Sequence, residues 1–224
     1  VLFFIFTFPS EVISQQNFLD PLEQPLTLTA NKMDIERVLE AIATSYRIPI
    51  SFEASLKPEA VAHKITYEAE NKTLREVLNE VLLQMPGYEW SFEEGVINIH
   101  PKDASREITQ IIINEFFLKD DERSRFEQKI VNLPEVKSGF QKIGFEVKSG
   151  KDIVNQTPTL SFERLIPLRR KDSDSSKVNN LILKSVTLKD LLNEMLKQKM
   201  AVFWSLSKAG QDMKYVSLNI TVFD

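Results

Sequence analysis

From Leu26 onward apolar residues recur with two periods, and the switches between them divide the chain into short elements. Leu26, Leu28 and Ala30 alternate with polar neighbours, as in a strand buried on one face. Ile35, Val38, Leu39, Ile42, Ala43 and Tyr46 then fall along one helical stripe, with Asp34 as the expected N-cap and Met33 placed to staple onto Val38. A strand is expected at Pro49 to Glu53, and Ile65, Tyr67 and Ala69 alternate again after it. Thr73-x-x-Glu76 is a capping box ahead of a second helix whose buried face is Leu74, Val77, Leu78, Val81, Leu82 and Met85, stopped at Pro86-Gly87. Tyr88, Trp90 and Phe92 share one face of a strand that turns at Glu94-Gly95 and returns through Val96 to His100. The order is β-α-β-β-α-β-β.

Polar residues from Pro101 to Ser105 mark a boundary, which gives a first module over residues 26–102 and a second over 106–224. In the second, apolar residues occupy both parities between Arg106 and Leu118: Ile108, Ile112, Phe116 and Leu118 on one, Ile111, Ile113 and Phe117 on the other. That pattern predicts a central strand covered on both sides. Helices are expected at Asp121 to Val131 and Pro134 to Ile143, and Arg169 to Lys177 (RRKDSDSSK) reads as a solvated loop.

Past that loop the first module reappears. Thr73 to Ser91 aligns without a gap onto Thr187 to Ser205, with nine of nineteen positions identical. Trp204 falls where Trp90 does, Ile97-Asn98-Ile99 matches Leu218-Asn219-Ile220 after a turn at Ser207 to Lys214, and Ser51-Phe52-Glu53 recurs as Ser161-Phe162-Glu163. Common periodicity does not account for the matched Asn, Gln and Trp, so the expectation is a duplicated unit and an α+β fold of two related modules packed in sequence.

Composition narrows the function. Formal net charge is −4, with no basic stripe interleaved with aromatics, which argues against nucleic-acid binding. Cysteine is absent, removing disulfides, thiolate catalysis and thiolate metal sites. Val1 to Phe8 (VLFFIFTF) is too short to span a bilayer and does not alternate; with cleavage after Ser14 it reads as a signal-peptide remnant over residues 1–14, and so as export.

Leu26 to Lys102 resembles the short N-terminal domain of secretins and TonB-dependent receptors, through LTLTANKMDIERVLEAIA, the ISFE strand, ITYEAENKTLREVLNEVL and a hairpin ending in an I-x-I strand. The second half resembles it only from about Val178. The resemblance implies a small periplasmic module that contacts neighbouring protein chains and has no catalytic residues.

Site chemistry is sparse. His63 and His100 lack spaced partners, Glu93 and Glu94 read as solvent-facing hairpin residues, and none of the six glycines forms a phosphate-cradling loop. Trp90 and Trp204 read as core residues rather than a stacking platform. No catalytic, cofactor or metal residues are therefore assigned. The expectation is a periplasmic or envelope-located, non-catalytic interaction or assembly module whose partner is another envelope protein, with self-association open. An exported enzyme and a cell-wall glycan binder are the alternatives. They would show, respectively, a polar cluster in a deep pocket and an exposed aromatic platform, against an edge-strand surface for the interaction module.

Overall fold

The computed structural model describes residues 20–56, 64–102, 110–119, 125–153, 180–209 and 214–222. A 3-10 turn (Pro21–Glu23) leads into β1 (Pro25–Asp34), α1 (Ile35–Tyr46), β2 (Ile50–Glu53), β3 (Lys64–Thr73), α2 (Leu74–Leu83), β4 (Tyr88–Glu93) and β5 (Val96–Pro101). The second half runs β6 (Ile112–Leu118), α3 (Phe126–Val131), α4 (Pro134–Lys142), β7 (Glu146–Ser149), α5 (Gly150–Ile153), β8 (Leu181–Thr187), α6 (Leu188–Lys197), β9 (Ala201–Ala209) and β10 (Tyr215–Val222). The fold is α+β. The first half keeps the expected element order, and the apolar stripes of α1, α2 and α6 are buried apart from Tyr46, which is partly so.

The halves are joined by a sheet rather than merely packed in sequence. Six strands are ordered β4-β5-β2-β9-β10-β7, flanked by the two-stranded ribbons β1-β3 and β6-β8. Within each triplet the hairpin is antiparallel and the third strand is parallel to its neighbour: β4 against β5 with β2 alongside, then β9 against β10 with β7 alongside. The seam is the parallel pair β2·β9, Ile50 opposite Phe203 through Glu53 opposite Leu206. Because the seam is parallel, the second triplet repeats the left-to-right order of the first with every strand reversed. Such a half-turn about an axis across the strands also exchanges the faces. One core accordingly gathers α1 and α2 with Ile50, Phe52, Ile97, Ile99 and Phe203, and the other gathers α3, α4 and α6 with Val96, Trp204, Leu206, Val216 and Leu218.

The aligned segments correspond in detail. Thr73 and Thr187 each close a full capping box, with Glu76 and Asp190 as the reciprocal partners. Asn71 and Ser185, two residues upstream of each cap, take φ of 53° and 52°. Leu74 donates its backbone N–H to Gln24 at 3.0 Å, and Leu188 donates to Ile111 at 2.8 Å, each acceptor preceding the first strand of its ribbon. Trp90 Nε1 donates to Asn79 Oδ1 at 3.0 Å, and Trp204 Nε1 to Asn193 Oδ1 at 2.9 Å, which gives the matched Asn and Trp one shared purpose. Trp90 stands opposite Ile99 and Trp204 opposite Ile220; Ser91 stands opposite Asn98 and Ser205 opposite Asn219. Since a side-chain cap satisfies one otherwise orphaned helix N–H, Thr73→Ala and Thr187→Ala are each expected to cost about 1 kcal/mol in denaturant melts.

Several expectations need correction. The strand placed at Arg106 to Leu118 is described only from Ile112, and it lies in a two-stranded ribbon instead of centrally. Ile111, Ile113, Phe116 and Leu118 face inward while Ile112, Asn114, Glu115 and Phe117 face outward. The inward phase slips at Asn114-Glu115, beside the left-handed Ser185 of β8, and that slip made the strand look apolar on both sides. Asp34 occupies the N-cap position of α1 without a side-chain cap, and pairs with Lys64 at 3.5 Å instead. β9 continues through Ser207 to Ala209, so the turn is shorter than Ser207 to Lys214. The slot that β2 fills in the first triplet is filled by β7 in the second, whereas Ser161-Phe162-Glu163 and the polar stretch 169–177 lie outside the described residues, as do residues 1–14.

Candidate interaction surface

His63 lies outside the described residues, and His100 sits on β5 with Nδ1 3.3 Å from the Pro101 carbonyl and 3.8 Å from Glu89. Glu93 and Glu94 are exposed at the hairpin, with Glu94 and Gly95 both at positive φ in the turn and Glu94 paired to Lys197 of α6. Among the described residues, His100, Glu93 and Glu94 form no acid/base pair with one another. Among the described residues no three His, Asp or Glu side chains group as metal ligands, and no helix is long and apolar enough to cross a membrane.

Sequence reasoning missed a polar seam between the halves. Glu36 and Glu40 project from α1 onto the strands of the second half: Glu36 accepts from Ser205 and from Asn219 Nδ2, the latter at 2.9 Å, and Glu40 accepts from Thr221 Oγ1 at 2.6 Å. The alternation of Ser217, Asn219 and Thr221 with apolar residues on β10 was the available signal. Burial raises the Glu36 carboxyl above its ordinary pKa, and the nearby Glu40 adds to the rise, while the bonds from Ser205, Ser207 and Asn219 oppose it. A second seam, on the opposite face, is neutral: Ser51 Oγ and Asn193 Nδ2 both donate to Asn98 Oδ1 at 2.9 Å. These groups satisfy one another across the junction of the two halves.

The Glu36 shift has a sign that can be tested. A carboxyl whose folded pKa exceeds its unfolded one stabilises the fold fully below the unfolded value and loses that stabilisation as pH rises through the folded value, at about 1.4 kcal/mol for each pH unit between them. Glu36→Gln removes the titration while keeping an acceptor oxygen. Its stability relative to wild type should therefore increase as pH is raised from about 4 through the mildly acidic range, read as the difference between paired denaturant melts. A flat difference across that range is the contrary outcome.

Apolar surface left outward is the other feature. On the second ribbon Phe117 stands directly opposite Ile182, and they are 39% and 59% exposed, with Ile112 also outward. Counted from the matching caps, the same positions of the first ribbon hold Thr29 opposite Glu68, both exposed, and its outer face is polar throughout Thr27, Thr29, Thr66 and Glu70. Phe92, on the outermost strand β4, is exposed as well. These aromatics lie on separate elements and form no continuous stacking platform. No family model matches the chain, and neither does any curated protein or solved structure.

Proposed function

We propose that the protein is an exported, non-catalytic interaction module that holds another protein of the periplasm or cell envelope. The observation that carries this reading is the outward Phe117–Ile182 pair, apolar where the corresponding pair of the first ribbon is Thr and Glu. An exposed apolar pair costs solubility unless something covers it in use, whereas Glu36 and Glu40 are taken up by hydrogen bonds in the seam between the halves. The apolar run Val1 to Phe8 supports export, and the resemblance of Leu26 to Lys102 to the short N-terminal domain of secretins and TonB-dependent receptors supports both the compartment and the role. Duplication of one ancestral unit is part of the same reading, supported by the matched caps, Trp–Asn bonds and strand registers.

The test is affinity capture from the envelope fraction of the source cells, with wild type beside a Phe117→Thr, Ile182→Glu double variant that gives the second ribbon the residues of the first. Both changes are at exposed positions, so stability should move by less than about 1 kcal/mol. Recovery of a partner by wild type and its loss from the variant is the expected result. Equal recovery by both, or a cytosolic protein retaining residues 1–14, would count against the proposal.

A further inference from the structure

β4 and β9 hold the same place in their triplets, yet their far edges differ. β9 is paired along that edge by β2, whereas β4 ends the sheet, with no described residue pairing beyond it. Surface exposure follows the pairing. Trp204 and Leu206 are each 1% exposed, while Trp90 is only partly buried and Phe92, the counterpart of Leu206, is 37% exposed. We propose that the open edge of β4 receives an extended segment of another polypeptide, running parallel to β4. Its apolar side chains lie on the α2 side beside Trp90 and Phe92, and its Lys or Arg side chains on the opposite side beside Glu89 and Glu93.

The parallel direction comes from the filled seam, where β2 runs parallel to β9 along the equivalent residues. Backbone pairing supplies affinity in this mode and alternate side chains supply selectivity. The basic face follows from charge. Glu89 and Glu93 are exposed on the side where the second half has Phe203 and Ser207, and the groups facing them across the hairpin are His100 opposite Glu89 and Val96 opposite Glu93. Neither β4 nor β5 contains Lys or Arg, and Lys197 of α6, on the same side of the sheet, is engaged by Glu94 and Glu194, so among the described residues an incoming cation would meet Glu93 and Glu89, with His100 facing the latter. The same glutamates resist indiscriminate edge pairing.

A second copy of this chain is a poor occupant on both available edges. Two β4 strands meeting antiparallel about a two-fold axis would bring glutamates against glutamates, which is unfavourable in cross-strand pairs, and a parallel two-fold pair would set them beside Trp90 and Phe92 with no cation of β4 to meet them. Head-to-tail addition would need β7 to act as β2 does. Ser149 is paired to Leu218 as Ile50 is to Ile97, so Gly150 takes the place of Ser51, and there the strand gives way to α5. The stretch that forms the seam in the first half is thus helical in the second.

The experiment titrates the isotope-labelled protein with a synthetic octapeptide alternating lysine with isoleucine and phenylalanine, and with its glutamate-for-lysine counterpart, following backbone amides by NMR. The lysine peptide is expected to shift the amides of Tyr88 to Glu93 saturably. A Glu89→Lys, Glu93→Lys variant, changed only at exposed positions, is expected to bind it about tenfold or more weakly and to gain affinity for the glutamate peptide. Absence of saturable binding, shifts confined to β6 and β8, or equal affinity of the variant would overturn the proposal. So would sedimentation showing a dimer of the free protein that the variant abolishes, since the occupant would then be a second copy. The edge site can fail while capture through Phe117 and Ile182 persists, so its fate is separable from that of the interaction role.

Discussion

Trp204→Ala is expected to lower the unfolding free energy by about 3 to 5 kcal/mol, while the corresponding Trp90→Ala costs about 1 to 2 kcal/mol. Both indoles bond an asparagine eleven residues upstream, yet their surroundings differ. Trp204 is 1% exposed in the second core, and its Asn193 partner also donates to Asn98 of the first half, so truncation opens a cavity and leaves Asn193 Oδ1 without its donor. Trp90 packs against the first core from the outer strand and is only partly buried, so less apolar contact is lost. Trp204→Phe separates the contributions: it retains most of the packing and loses the N–H, and should cost about 1 to 3 kcal/mol. Denaturant melts at fixed pH measure all three. Equal losses for Trp204→Ala and Trp90→Ala would show that the seam with β2 does not bury the second indole.

Gly150→Ala is the second large effect, expected at about 1 to 3 kcal/mol through overpacking. A Cβ at this position would lie 1.6 Å from Asn219 Oδ1 and 2.6 Å from its Cγ. The asparagine cannot turn away without loss, because its Nδ2 donates to Glu36 at 2.9 Å and lies 3.3 Å from Ser205 Oγ. The alternative is for α5 to lift from β10. Asn219→Ala clears the space, so the double variant should be more stable than the sum of the two single losses implies, a coupling that a double-mutant cycle reads directly. Strict additivity would mean that Gly150 does not approach Asn219.

Much of the fold was legible because its elements bury one face each. The stripes of α1, α2 and α6, the capping boxes at Thr73 and Thr187 and the Glu94-Gly95 turn are local signals, and each appears where the pattern puts it. The seam was not legible. β2 pairs with β9 across some 150 residues of chain, and parallel pairing leaves no turn signature between the partners. β6 misled for a related reason: a strand whose phase slips opposite a left-handed residue shows apolar positions on both parities, and periodicity alone cannot separate outward Ile112 and Phe117 from core residues. The outward placement of Phe117 and Ile182 was hidden by the same ambiguity. The matched Asn79 and Asn193 did carry a signal, as polar residues kept on helices at the spacing from which they reach Trp90 and Trp204, but identity alone did not say what they bonded.

The filled edge of β9 and the open edge of β4 are compared most directly by backbone amide hydrogen exchange on the free protein. Amides of Ile50 to Glu53 and of Phe203 to Leu206 should exchange only through global unfolding, whereas alternate amides between Tyr88 and Glu93, those directed away from β5, should exchange faster by several orders of magnitude. Uniform protection along β4 equal to that of β9, or rapid exchange in Ile50 to Glu53, would contradict the picture of β9 with its edge occupied by β2 and β4 with its edge open.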